Sequence, residues 1–219
     1  MIIAKFFAVA LLGYLLGSIP FGKLVSNRTI NSDITTMGSC RTGATNVLRT
    51  AGKKAAFMVA VLDVAKGALA VGLARLIFHG EYAAIGDSGL LWVLTSAQVL
   101  AALTAVFGHK WSIFLKFKGG RGVATFFGGL MVLCPAAALF GGEILILGAC
   151  LTRYASLGSI TGAVAAYAIL IPLTIINGFP LEYLAYSLAG AIFIIVMHRD
   201  NIVRLLSGTE RRLGEKVDT

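Results

Sequence analysis

Apolar residues fall in long blocks separated by short polar segments dense in cations, hydroxyls and glycine. Five blocks stand out: Ile3–Val25, Ala55–Phe78, Leu90–Phe107, Ser156–Ile176 and Tyr183–Met197. Each approaches the roughly 20 apolar residues that carry a helix across ~30 Å of hydrocarbon. A sixth run, Gly122–Thr152, has Glu143 as its only charge. As one helix it would reach ~46 Å, too long for an untilted crossing. Pro135 near its middle, with Gly141 and Gly142 beyond, allows one long kinked helix or two short ones meeting near Cys134-Pro135.

Charge chooses between them. The segment Ser26–Lys54 carries Arg28, Arg41, Arg49, Lys53 and Lys54 against Asp33, and Gly108–Arg121 carries Lys110, Lys116, Lys118 and Arg121 with no acid. His79–Gly89 has Glu81 and Asp87 and no Lys or Arg, and Asn177–Glu182 has one acid and no base. Cations favour the cytoplasmic side. An even number of crossings must then separate Arg121 from Arg153, so the long run splits in two. The sequence predicts an all-α polytopic membrane protein of seven transmembrane helices, N-terminus outside and C-terminus cytoplasmic. The first block lacks a small-residue cleavage site and reads as a retained span.

Composition agrees. Of 219 residues, 58% are hydrophobic and 13% charged, against about 25% charged in a soluble domain. The net charge of +9 sits between the apolar blocks, where it fits bilayer orientation and anionic headgroups. No basic helix or aromatic platform points to nucleic acid. Cys40, Cys134 and Cys150 form neither a disulfide framework nor a metal site. Gly13, Gly17, Gly67, Gly72, Gly158 and Gly162 have spacings that let helices approach closely in lipid. Asp63 and Lys66, three apart within a span, form a mutually neutralising pair, read as structural.

Three polar segments are richer than connections need. The first, residues 38–49, offers Ser39, Thr42, Thr45, Asn46, Cys40, Arg41 and Arg49 among glycines. Its backbone can form an anion-binding concavity, and Arg49 can grip a phosphate with two bonds. In the second, Lys118-Gly119-Gly120-Arg121-Gly122 opens an apolar run. Helix-terminal amides there would face an anion. In the third, His198 and Asn201 share a helical face, with Arg204 and Glu210 following. His198 can carry a proton, donate a hydrogen bond or simply anchor the interface. All three segments fall on the same predicted membrane face, which suits an enzyme joining a water-borne phosphate compound to a fatty chain.

Six segments carry a family resemblance: "GYLLGSIPFGKL", "GSCRTGATNVLRTAGKKAA", "LDVAKG", "FGHKWSIFLKFKGGRGVAT", "YASLGSITGAV" and "HRDNIVRLLSGTE". In this order the chain resembles the bacterial acyl-phosphate:glycerol-3-phosphate acyltransferases, the PlsY family. The resemblance implies one membrane-embedded acyltransferase domain over residues 1–219, in the bacterial inner membrane, with a cytoplasmic active site and no metal or nucleotide cofactor. It implies transfer of an acyl group from acyl phosphate to the sn-1 hydroxyl of glycerol 3-phosphate, the first acylation of phospholipid synthesis. Carried over by position, Ser39, Arg49, His198, Asn201 and Glu210 would be catalytic. Thr45, Asn46, Lys118, Gly119, Gly120, Arg121, Gly122 and Ser156 would bind substrate. Cys40-Arg41-Thr42 departs from the family's pattern, and Arg121 stands where the family more often has Lys.

One phosphate would then sit on Lys118, Arg121 and the glycine amides, and the other on Arg49, Ser39 and Asn46. The hydroxyl proton would go to His198 or to a substrate phosphate oxygen; an acyl-enzyme on Ser39 or Cys40 is a third route. The competing class is a small transporter or channel for a phosphate-bearing anion. It should show repeat symmetry and midplane polar groups, and the sequence displays neither.

Overall fold

The computed structural model describes residues 2–84 and 91–215, which form ten α-helices and two short 3-10 turns. The first apolar block does not run unbroken to Val25. Helix α1 (Ile2–Ser18) stops, and α2 (Phe21–Ile30) restarts after Ile19-Pro20. Pro20 lacks an N–H and steers Ile19 away from helical geometry. The carbonyls freed there are taken by side chains. Ser112 Oγ donates to Ser18 O at 2.5 Å, and Lys66 Nζ donates to Ile19 O at 3.1 Å.

After α3 (Ala44–Thr50), helix α4 (Lys53–Ala84) runs six residues past the predicted end at Phe78. The acidic connection His79–Gly89 is thus helical in its first half, and residues 85–90, including Leu90, lie outside the described residues. Helix α5 (Leu91–Lys110) leads through a 3-10 turn into the glycine-rich stretch and α6 (Val123–Leu133). Cys134 ends α6 in an extended conformation (φ −146°, ψ 90°), and Pro135 opens α7 (Pro135–Thr152). Two helices therefore replace the single long run, broken where a proline is tolerated only at a first turn. Helix α8 (Ala155–Asn177) follows. Helices α9 (Leu181–Met197) and α10 (Arg199–Leu206) meet at His198 with a 60° bend.

Among the described residues, five segments are long and apolar enough to cross a membrane, or six with the bent α9–α10 pair counted as one. The sequence predicted seven. The difference is α6, whose 11 residues span only ~16 Å.

Glycine makes the close contacts. A Cβ on Gly17 would lie 2.0 Å from Ala105 O, joining α1 to α5; one on Gly67 would lie 2.1 Å from Thr125 O, joining α4 to α6. Gly158 and Gly162 meet α7 in the same way, whereas Gly72 has nothing within 4 Å. The main core gathers Phe126, Leu130, Ala163, Leu170, Tyr186 and Ile194 from α6, α8 and α9. Tyr186 Oη donates to Phe126 O at 2.9 Å, so a buried phenol is satisfied by backbone. Outward, Phe7, Phe57, Leu76, Leu151 and Ile175 are 70–81% exposed. So much exposed apolar surface suits lipid and not water.

Candidate active site

The first polar segment folds around Asn46, which is buried at the start of α3. Its Oδ1 accepts the Ser39 N–H at 2.9 Å, and its Nδ2 donates to Arg41 O at 2.9 Å and Met37 O at 3.0 Å. Gly38 (φ +60°) passes so close that a Cβ there would lie 2.3 Å from Asn46 Oδ1. The amide expected to bind substrate is thus occupied in shaping its own loop. That loop leaves Ser39 and Thr45 half-buried and Cys40 exposed. From α3, Arg49 Nη2 donates to Arg211 O at 3.3 Å, linking the segment to the tail.

The second segment packs on the end of α5. The Gly120 N–H donates to His109 O at 3.2 Å, so this amide is not open to a ligand. Gly119 and Gly120 are both buried, and Gly122 (φ +80°) caps α6. Lys118 is exposed, whereas Arg121 turns inward and Arg121 Nη2 donates to Asn201 Oδ1.

That bond joins the second segment to the third. Asn201 Nδ2 donates to Glu210 Oε1 at 2.5 Å, and Ser156 Oγ donates to the same oxygen at 2.8 Å. Arg204 Nε donates to Glu210 Oε2 at 2.8 Å. Four residues named from sequence, Arg121, Ser156, Asn201 and Glu210, thus form one hydrogen-bonded chain. His198, 2% exposed, closes α9 beside it. Its Nδ1 lies 2.7 Å from Ile194 O. Only an Nδ1–H can donate to a carbonyl, which leaves the Nε2 lone pair free to accept.

Charge in the cluster is lopsided. Burial and the neighbouring Arg41 bring Arg121 down to about 10, and burial and Arg211 lower Arg49. Burial and Arg121 hold His198 down at about 4, so its ring is neutral near pH 7. Burial alone would raise the Glu210 carboxyl, but hydrogen bonds from Asn201, Ser156 and Arg204 outweigh it and keep the group below its ordinary value. Arg49 Nε and Arg121 Nε are buried and bonded to no protein group among the described residues. Such buried guanidinium N–H groups keep the capacity to donate, and their charge-assisted bonds to an anion are the strong kind.

Two neighbours of the cluster carry little signal in the sequence. Arg204, six residues before Glu210, is its ion-pair partner. His109 stands ten residues before Gly119, and its adjacency to the double glycine exists only in the folded chain. Asp63 and Lys66 also gain a neighbour, since His109 Nδ1 lies 3.5 Å from Asp63 Oδ1.

A family model described as "Glycerol-3-phosphate acyltransferase" matches residues 7–208. A protein of Dehalococcoides mccartyi named glycerol-3-phosphate acyltransferase 3 is 61% identical over 216 residues, 99% of each chain. One from Thermus thermophilus, named glycerol-3-phosphate acyltransferase, is 47% identical over 208 residues, 95% of each chain. Among solved structures, the crystal structure of PlsY, described as an integral membrane glycerol 3-phosphate acyltransferase in its glycerol 3-phosphate form, superposes with a TM-score of 0.78 at 36% identity, covering 95% of this chain and 96% of the other. Its lysophosphatidic acid form gives 0.77 at 35% identity. With nearly its whole length matched in sequence and in fold, this chain belongs to the glycerol-3-phosphate acyltransferase family.

Proposed function

We infer that this multi-pass membrane enzyme acylates glycerol 3-phosphate at its sn-1 hydroxyl, taking the acyl group from acyl phosphate and releasing lysophosphatidic acid and inorganic phosphate. The observation that carries the reading is the chain Arg121–Asn201–Glu210 beside a neutral His198, with guanidinium N–H groups left over for a phosphate. Family membership favours the enzyme over a transporter.

Acyl phosphate is a mixed anhydride with a good leaving group, so the protein's task is to place two anions and one hydroxyl. Arg121 and Lys118 hold one phosphate; Arg49, with Ser39 and Thr45, holds the other. Asn46 contributes by fixing the loop that presents Ser39. Arg41 adds positive charge near Arg121. The hydroxyl oxygen attacks the acyl carbon, the bond from that carbon to the bridging phosphate oxygen breaks, and phosphate departs with the bonding pair. The hydroxyl proton passes to His198 Nε2, whose basicity rises when a phosphate offsets Arg121. Glu210 holds Asn201 and Ser156 in place and is not the base, since its carboxylate is fully engaged. Orientation of this kind supplies several kcal/mol of barrier lowering.

For topology, seven crossings with the N-terminus outside and all three polar segments cytoplasmic remain the arrangement that charge favours. Helix α6 then serves as a short crossing buried among α4, α5, α7 and α9. The inner membrane of a bacterium is the compartment this implies.

The test is purified protein supplied with acyl phosphate and glycerol 3-phosphate. Phosphate release equal to lysophosphatidic acid formed is expected. Turnover with an acyl thioester and none with acyl phosphate would overturn the donor assignment, and acylation only at the other hydroxyl would overturn the position.

A further inference from the structure

We propose that His109 is a positioning residue: it sets the Gly119–Gly120 turn, and through it the placement of Arg121, so that these glycines exist to accommodate the histidine and not to let a ligand approach the backbone. A Cβ built on Gly120 would lie 2.0 Å from His109 Nε2, and one on Gly119 would lie 2.1 Å from His109 O. The Gly120 N–H donates to that same carbonyl at 3.2 Å. Both faces of the turn that a side chain could fill are therefore taken by one residue, itself only 6% exposed. Arg121 follows directly and makes the bond to Asn201.

Behind the ring stands a second tier. His109 Nδ1 is 3.5 Å from Asp63 Oδ1, and that oxygen is 2.8 Å from Lys66 Nζ. Lys66 in turn donates to Ile19 O at the α1–α2 break and lies 5.7 Å from the Phe21 ring centroid. The ring is thus buttressed from α4, which is anchored to the proline break of the first block. An ion pair of buried residues, both 2% exposed, is costly to disturb, which gives the histidine a rigid seat. Ser112, three residues after His109, fastens to Ser18 O in the same break. The turn bearing Arg121 is referenced to two helices that supply no group to the site.

The two explanations for the glycines differ in a measurable way. If the histidine dictates them, Gly120→Ala should be harmful alone and much less so when the ring is removed. The experiment compares the full chain, Gly120→Ala, His109→Ala and the double variant. Reading KM for glycerol 3-phosphate rests on the function proposed above. Arg121 grips the phosphate equally before and during reaction, so its displacement raises KM more than it lowers kcat. The expected result is a KM raised ~10-fold or more in Gly120→Ala and brought back at least fivefold in the double variant. Amide hydrogen exchange across residues 116–122 reads the same coupling without substrate: faster in Gly120→Ala, restored toward the parent rate in the double variant. Absence of turnover in the parent chain would strike the proposed function and leave this second readout intact. Should Gly120→Ala fail to accumulate, recovery of folded protein on adding His109→Ala is the expected result. A double variant no better than Gly120→Ala in exchange and in yield overturns the proposal.

Discussion

Glu210 faces three donors: the Asn201 amide, the Ser156 hydroxyl and the Arg204 guanidinium. A carboxylate satisfies all three because it only accepts. Glu210→Gln replaces one accepting oxygen with a donor, orphaning a buried N–H at a cost of about 1–3 kcal/mol. A lower unfolding temperature in detergent, together with reduced turnover, is the expected outcome. His198 makes a pH-dependent prediction. Its folded value of about 4 lies below the ordinary histidine value of about 6.5, so the unfolded chain takes up the proton first. Stability conferred by the neutral ring is present above about pH 6.5 and shrinks as pH falls toward 4, by roughly 3 kcal/mol at the bottom of that window. Glu210, also lowered, loses its contribution only below the usual glutamate range. Unfolding measured from pH 7 to 4.5 should therefore show a slope that His198→Gln flattens. The contacts of the candidate residues were legible unevenly. His198, Asn201 and Glu210 stood in one short polar stretch, and the fold brings the last two into one hydrogen-bonded chain. What Asn46 bonds was not legible, because composition reports only what an amide can bond; the fold shows its side chain bonded to Ser39, Met37 and Arg41.

Helices were legible wherever hydropathy changed abruptly, and less so where a break hides inside apolar sequence. The break at Pro135 was legible from two signals together: the run was too long for one crossing, and the basic segments on either side required an even number of crossings. The break at Pro20 was not, because Ile19 and Phe21 continue the hydrophobic pattern and the freed carbonyls find partners only in the folded bundle. Spacing alone also cannot say which glycines touch a neighbour. Gly67 and Gly72 lie on the same helix, and only the first meets another backbone. Gly67→Ala should force α4 from α6 and lower the yield of folded protein. Gly72→Ala should be neutral or stabilise by about 0.5–1 kcal/mol through helix propensity. Paired thermal unfolding curves in one detergent check both.

Across the molecule, charge asymmetry gave an orientation that helix lengths cannot. On a background lacking Cys40, Cys134 and Cys150, single cysteines at Lys118 and Arg212 should resist an impermeant maleimide in intact cells and react after permeabilisation, and one at Asn177 should react at once. Labelling of Lys118→Cys and Arg212→Cys from opposite sides would break the proposed topology. One further consequence follows from the residues after α10. The Leu213 N–H donates to Arg153 O at 2.7 Å, Arg153 Nη2 returns a bond to Leu213 O at 3.2 Å, and Arg49 reaches Arg211 O. The tail is a clasp drawn across distant parts of the bundle. A chain trimmed at Gly208 would keep every described helix yet lose Glu210 and its bonds to Ser156, Asn201 and Arg204, so a purification tag belongs beyond Glu215.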